Sequence, residues 1–171
     1  MSASPVIRPA HLADLPDLHR VIERAYRGES ARAGWTHEAD LIPQGDRTDP
    51  ATLAALMSEP ASRLLVAFDA DRLVGCVNVQ DRGDGTAYLG LLCVDPTLQA
   101  AGIGRQLVSA AERTARNGFV AARIEMTVIE QRAELIAWYQ RLGYAPSGER
   151  RDFPVPMDPP FFMTVLVKPL A

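Results

Sequence analysis

The chain has 171 residues, 47% of them hydrophobic and 23% charged, which is enough apolar material for one core and predicts a single domain over residues 1–171. A formal net charge of −3, with basic residues interspersed among acidic ones, excludes the positive field that a nucleic-acid partner requires. No apolar run approaches the roughly 18 residues of a membrane span, and the segment Met1–Arg8 lacks the apolar core of a signal peptide, so a cytoplasmic protein with no membrane partner is expected.

In chain order, Val6-Ile7-Arg8 reads as a short first strand. Ala10 to Tyr26 carries Leu12, Leu15, Leu18, Val21, Ile22 and Ala25 at helical spacing, with Pro16 in its first turn or at a break. Residues 27–49 are rich in glycine, charge and small polar side chains and predict a long loop, in which Trp35 either fastens the loop to the core or walls a pocket. Asp49 is an N-cap residue and Pro50 suits the first helical position, so a second helix runs to about Ser58. Arg63–Phe68 and Arg72–Gln80 flank Asp69-Ala70-Asp71 as a hairpin, and Ala87–Val94 follows the turn Gly83-Asp84-Gly85, giving three consecutive antiparallel strands. Cys76 and Cys93 lie in apolar strand patterns and read as buried free thiols. His11, His19 and His37 have no metal-ligand spacing, and no metal is expected.

Between the apolar strand pattern Tyr88–Val94 and a helical pattern beginning near Gly104 lies Gln99-Ala100-Ala101-Gly102-Ile103-Gly104. The first N–H groups of a helix have no intrahelical acceptor and favour an anion. Glycines there remove the Cβ atoms that would hold a diphosphate away and permit a positive φ, while Arg105 adds charge. An ordinary tight turn is the alternative. A Rossmann fingerprint is excluded because Leu107 stands where its third glycine belongs, and a Walker loop because Gly104 is followed by Arg-Gln. The helix 104–117 buries Ile103, Leu107, Val108 and Ala111 and stops at Asn117-Gly118. Ala122–Ile129 then reads as a strand parallel to 87–94, because a helical crossover joins them. A helix over Ala133–Leu142 ends at Gly143, and two tail strands follow, near Gly148–Phe153 and Phe161–Val167.

Three stretches together, Leu89-Gly-Leu-Leu-Cys-Val-Asp-Pro96, the cradle with Gln99, Gly102 and Gly104, and Glu134-Leu-Ile-Ala-Trp-Tyr-Gln-Arg-Leu-Gly-Tyr144, resemble the GNAT superfamily of N-acetyltransferases. The resemblance is strong over Arg63–Tyr144, weaker over Val6–Ala10 and uninformative over 26–50. It implies an α/β fold: a mixed, mostly antiparallel central sheet of about seven strands, the fourth and fifth splayed, flanked by about four helices. It also implies acetyl-CoA as acyl donor, without a metal, and direct attack by a primary amine of a small molecule or peptide. Donor contacts map onto Leu92, Cys93 and Val94, through the backbone, and onto Gln99, Ala100, Ala101, Gly102, Ile103, Gly104 and Arg105. Ala101 replaces a basic residue or glycine of many members, and Arg132 stands where many have an asparagine seven residues before a tyrosine.

That tyrosine, Tyr139, is the implied acid. A phenol near pKa 10 keeps its proton at neutral pH and can hand it to a thiolate whose thiol titrates at about 8.5. The structural alternative is an aromatic packed beside Ile136 and Leu142. No carboxylate lies in 88–94, so candidates for a base are Glu125 on the next strand and Glu38 or Asp40 in the loop, while some members of the family use no dedicated base. An ion pair between Glu125 and Arg123, and plain surface charge for the loop acids, are the alternatives. The family places acceptor contacts in this long loop, where Trp35, Glu38 and Asp40 are the candidates. If those acids face the pocket a cationic amine follows, and if Arg27 or Arg32 do, an amine bearing a carboxylate. A protein N-terminal or lysine acetyltransferase and a non-catalytic acyl-CoA-binding regulatory module are the other functions compatible with these motifs. Pairing of tail strands between subunits would make a homodimer.

Overall fold

A computed structural model describes residues 4–26, 47–154 and 156–171. Seven strands form one mixed sheet: β1 (Val6–Pro9), β2 (Ser62–Asp69), β3 (Arg72–Asp81), β4 (Thr86–Val94), β5 (Arg123–Ile129), β6 (Ala145–Asp152) and β7 (Phe162–Pro169), in the spatial order β1-β2-β3-β4-β5-β7-β6. Four helices accompany it among the described residues: α1 (Leu15–Tyr26), α2 (Pro50–Ser58), α3 (Ile103–Arg113) and α4 (Ala133–Arg141). The expected α/β architecture is therefore present, with β4 and β5 parallel and the other pairings antiparallel.

Alternation along the strands divides the core between the two faces of the sheet. Leu92 and Val94 join the cluster built on α3 and α4, with Leu107, Val108, Ala111, Ile124, Met126 and Tyr139. Leu91 and Cys93 join the cluster built on α1 and α2, with Leu18, Ile22 and Leu53. Both cysteines are free and buried, as their strand patterns predicted.

Several boundaries differ from the periodicity. The expected helix from Ala10 splits into a short 3-10 turn, Leu12–Asp14, and α1 proper. The Asp14 carboxylate accepts the His11 N–H at 2.7 Å and is held by Arg8 at 2.8 and 3.0 Å, closing the turn against β1 before Pro16 enters the helix. Asp49 caps α2 as predicted, accepting from the Thr52 N–H at 2.8 Å. The crossover helix stops at Arg113 and widens into a π turn over Thr114–Gly118 instead of continuing to 117. Strand β6 begins three residues earlier than its pattern indicated, at Ala145. Sequence reading also left the sheet order open, and β7 inserts between β5 and β6.

Candidate active site

One strand organises the site. On one edge β4 runs antiparallel to β3 from Asp81↔Ala87 to Gly75↔Val94. On its other edge β4 meets β5 over three rungs only, Thr86↔Arg123, Ala87↔Ile124 and Tyr88↔Glu125. Beyond Tyr88 the two parallel strands part, as the resemblance implied. The Tyr88 hydroxyl bridges to Thr127 Oγ1 at 2.7 Å across the start of the gap.

A bulge explains the parting. Leu91 has φ 53°, and the register with β3 slips by one residue between Cys76 and Asn78. A leucine in the left-handed region costs on the order of 1–2 kcal/mol, which the surrounding core must hold in place. Gly90 beside it was the only local sign in the sequence. Past the bulge, the Asp95 N–H donates to the Val74 carbonyl at 2.7 Å. Antiparallel alternation then makes Cys76/Cys93 the next hydrogen-bonded pair and turns the backbone groups of Leu92 and Val94 toward the gap. The Tyr26 hydroxyl, at the end of α1, donates to the Leu92 carbonyl. The Cys93 thiol points the other way, into the α1 side of the core, 3.5 Å from the Cys76 thiol. Hydrogen bonding to Cys93 and burial push the Cys76 thiol well above its usual pKa, so Cys76 supplies no ready nucleophile.

At the end of β4 the chain makes the turn Pro96–Ala101 and enters α3 through Gly102, whose φ of 81° is left-handed and whose missing Cβ would meet nothing within 4 Å. The first α-helical bond runs from the Gln106 N–H to the Gly102 carbonyl at 3.2 Å. The preceding N–H groups, at Ile103, Gly104 and Arg105, have no acceptor four residues back within the helix. Helix N–H groups beside a glycine whose Cβ side is open are what a diphosphate suits. Ile103 is buried, Ala101 and Arg105 are exposed, and Gln99 and Ala100 lie within the turn. A Cβ on Gly104 would touch the Trp138 ring at 3.5 Å, ordinary contact, so packing against α4 alone does not demand a glycine there.

Helix α4 buries Tyr139 in the core cluster that also holds Leu92 and Val94. Its ring packs edge-on against Trp138 at 4.9 Å and Tyr144 at 5.9 Å. Gly143, at φ 100°, reverses the chain after the helix and returns Tyr144 beneath it, where the Tyr144 N–H donates to the Tyr139 carbonyl at 3.2 Å. Burial pushes the Tyr139 phenol above its ordinary pKa of 10.0, with Arg132 nearby opposing the shift and Tyr88 adding to it. No hydrogen bond holds its hydroxyl among the described residues. Arg132 sits just before α4 and is half-buried. The packing of Tyr139 is thus what the structure shows: the ring is core, and burial keeps the phenol protonated.

Glu125 occupies the last paired rung, on the sheet face opposite Ile124 and Met126. Its carboxylate pairs with Arg151 of β6 at 3.2 Å instead of the anticipated Arg123. The partner was not legible because Arg151 reaches it across β7, whose insertion no local pattern announces. Trp35, Glu38 and Asp40 lie outside the described residues. Among the described residues no group of three or more His, Cys, Asp or Glu side chains is placed to hold a metal ion, and no helix is long and apolar enough to cross a membrane.

Comparison with known proteins bears on this geometry. Residues 18–144 match the model of the acetyltransferase (GNAT) family. The mycothiol acetyltransferase of Salinispora tropica is 33% identical over 155 aligned positions, the alignment covering 82% of this chain and 49% of that protein, so the chain spans about half the length of that relative. Among solved structures, the ribosomal-protein-S18-alanine N-acetyltransferase of Escherichia coli superposes with a TM-score of 0.74 at 18% identity, covering 98% of this chain and 94% of its own. A chimeric spermidine N-acetyltransferase from Vibrio cholerae gives 0.74 at 15% identity, covering 98% and 96%. At these identities the two structures speak for the fold.

Proposed function

The chain belongs to the GNAT acetyltransferase family, and from that premise we propose that it transfers the acetyl group of acetyl-CoA to the primary amine of a small molecule or peptide by direct attack. The observation that carries the reading is the parting of β4 from β5 beyond Tyr88, with an anion cradle at the end of the freed strand. Backbone groups of Leu92 and Val94 are turned toward the gap and suit a pantetheine arm, and the first N–H groups of α3 with Gly102 suit the diphosphate.

Bound acetyl-CoA would supply a thioester whose carbonyl carbon accepts the amine nitrogen, forming the C–N bond and releasing the C–S bond electrons to sulfur. Tyr139 protonates or hydrogen-bonds the departing thiolate, and burial keeps its proton in place at neutral pH. Glu125 accepts the proton that the amine must lose, directly or through water. It stands on the face of the sheet opposite Ile124 and Met126, ion-paired with Arg151, and in this role would reach the acceptor from that side. Replacing it as Glu125→Gln should lower kcat/KM at neutral pH by about tenfold and by less at alkaline pH, where more of the amine arrives already deprotonated. A loss that does not change with pH would remove Glu125 from the base role.

The acceptor class is amine, as an alanine N-acetyltransferase and a spermidine N-acetyltransferase among the structural neighbours illustrate. Calorimetric titration with acetyl-CoA, followed by pooled small amines and peptides with thiol release monitored, tests the whole reading. Binding with acceptor-dependent release supports it, and a peptide-only response assigns a protein acceptor. Binding without release from any pool points to a non-catalytic acyl-CoA-binding module, and absence of binding overturns the assignment.

A further inference from the structure

The residue that joins the two halves of the donor site is Asp95, between β4 and the turn that leads to Gly102. Its side chain is 1% exposed. One carboxylate oxygen accepts from Arg24 Nη1 of α1 at 3.0 Å and from Arg72 Nη2 of β3 at 2.8 Å. The other accepts from the Thr97 N–H at 3.0 Å and the Thr97 hydroxyl at 2.7 Å. Its own N–H ends the ladder on Val74 at 2.7 Å, and its carbonyl accepts from the Leu98 N–H at 2.9 Å. A carboxylate taken out of water is tolerated only where charge and hydrogen bonds replace its hydration, and here every visible lone-pair direction is used.

The arrangement is more than a local cap. Asp95 opposes its backbone to β3 on one side and its carboxylate to the first turn of the loop on the other, while two guanidinium groups from separate elements fix the carboxylate's direction. Arg24 also lies in the helical turn of α1 that ends with Tyr26, the donor to the Leu92 carbonyl. The last turn of α1 therefore grips β4 on both sides of Val94.

We propose that Asp95 is a positioning residue of the donor site: clamped by Arg24 and Arg72, it holds the Thr97 turn so that the N–H groups opening α3 face the diphosphate. The inference rests on the acetyl-CoA reading above and adds to it a side chain that touches no substrate. Its signature is selective. The diphosphate end of the donor should depend on Asp95, and the pantetheine end should not.

The test is calorimetric affinity for acetyl-CoA and for acetyl-pantetheine, which lacks the diphosphate, with wild type, Asp95→Asn and Thr97→Val. Thr97 is exposed, so its variant keeps the fold if Asp95→Asn does not. The expected result is a loss of acetyl-CoA affinity of about tenfold in Asp95→Asn and about threefold in Thr97→Val, with acetyl-pantetheine affinity unchanged within about twofold. Equal weakening of both ligands, or undiminished acetyl-CoA affinity in the variants, overturns the proposal. Failure of wild type to bind acetyl-CoA instead overturns the donor reading itself.

Discussion

The two edges of β4 are built from one run of residues and do opposite things. Toward β3 the strand is in register along most of its length and the backbones approach so closely that a Cβ on Gly75 would lie 2.6 Å from the Cys93 carbonyl oxygen and 3.1 Å from Leu107 Cδ1. Toward β5 it pairs over three rungs and then departs. A single bulge residue, Leu91, separates the behaviours by reversing its own φ while its side chain stays among the core residues on the α1 face. A strand can thus be structural on one side and leave its polar backbone for a ligand on the other, provided the structural side is tight enough to hold the strain.

That contrast can be broken from either edge. The largest effect expected is on the open edge: Tyr139→Phe removes the proton donor while keeping the ring packed against Trp138 and Tyr144, so kcat should fall by about 100-fold with acetyl-CoA affinity unchanged. Steady-state kinetics beside calorimetry decides this, and unchanged turnover would remove the acid role. On the closed edge, Gly75→Ala forces the Cys93 carbonyl and Leu107 to move and should cost about 2 kcal/mol of unfolding free energy in urea. A neutral result would show that β3 and β4 are not tightly held.

Gly102→Ala comes next. It meets no atom within 4 Å, so its cost is the left-handed φ alone, and a weakening of acetyl-CoA binding by about tenfold is expected as the loop relaxes toward negative φ. The smallest effect expected is one of pH. Because burial raises the Tyr139 pKa above 10.0, its acid form persists through neutral and mildly alkaline solution, and kcat should show no falling limb below about pH 10. The same shift weakens the fold at higher pH. An unfolded tyrosine releases its proton near 10 while the folded one retains it, so the contribution is complete below that pH and declines above it. A descending limb near neutrality would assign the proton donation to another group.

How much was readable without coordinates depends on the distance over which each feature is decided. The glycine turn into α3, the Asp49 cap and the helix end at Gly143 were legible because a backbone conformation is chosen by the residue that adopts it and its immediate neighbours. Helix α3 and the three antiparallel strands were legible because periodicity reports which side chains face a core. The resemblance singled out Tyr139 as a candidate, whereas its burial and elevated pKa required the packing of Trp138 and Tyr144 around it.

The remainder was decided by tertiary structure for a physical reason. Arg24 and Asp95 stand 71 residues apart and Glu125 and Arg151 stand 26 apart, so nothing in either local window selects the pairing. The insertion of β7 between β5 and β6 and the register slip at Leu91 come from the sheet's assembly, where hydrogen-bond partners are drawn from distant segments. The sequence by itself determined the strand–cradle–helix unit and the order of elements, since those rest on local backbone preference and side-chain period. The three-dimensional fold alone decided which charges meet and at which rung β4 and β5 part, since electrostatic and packing energies depend on distances that the chain sets only once folded.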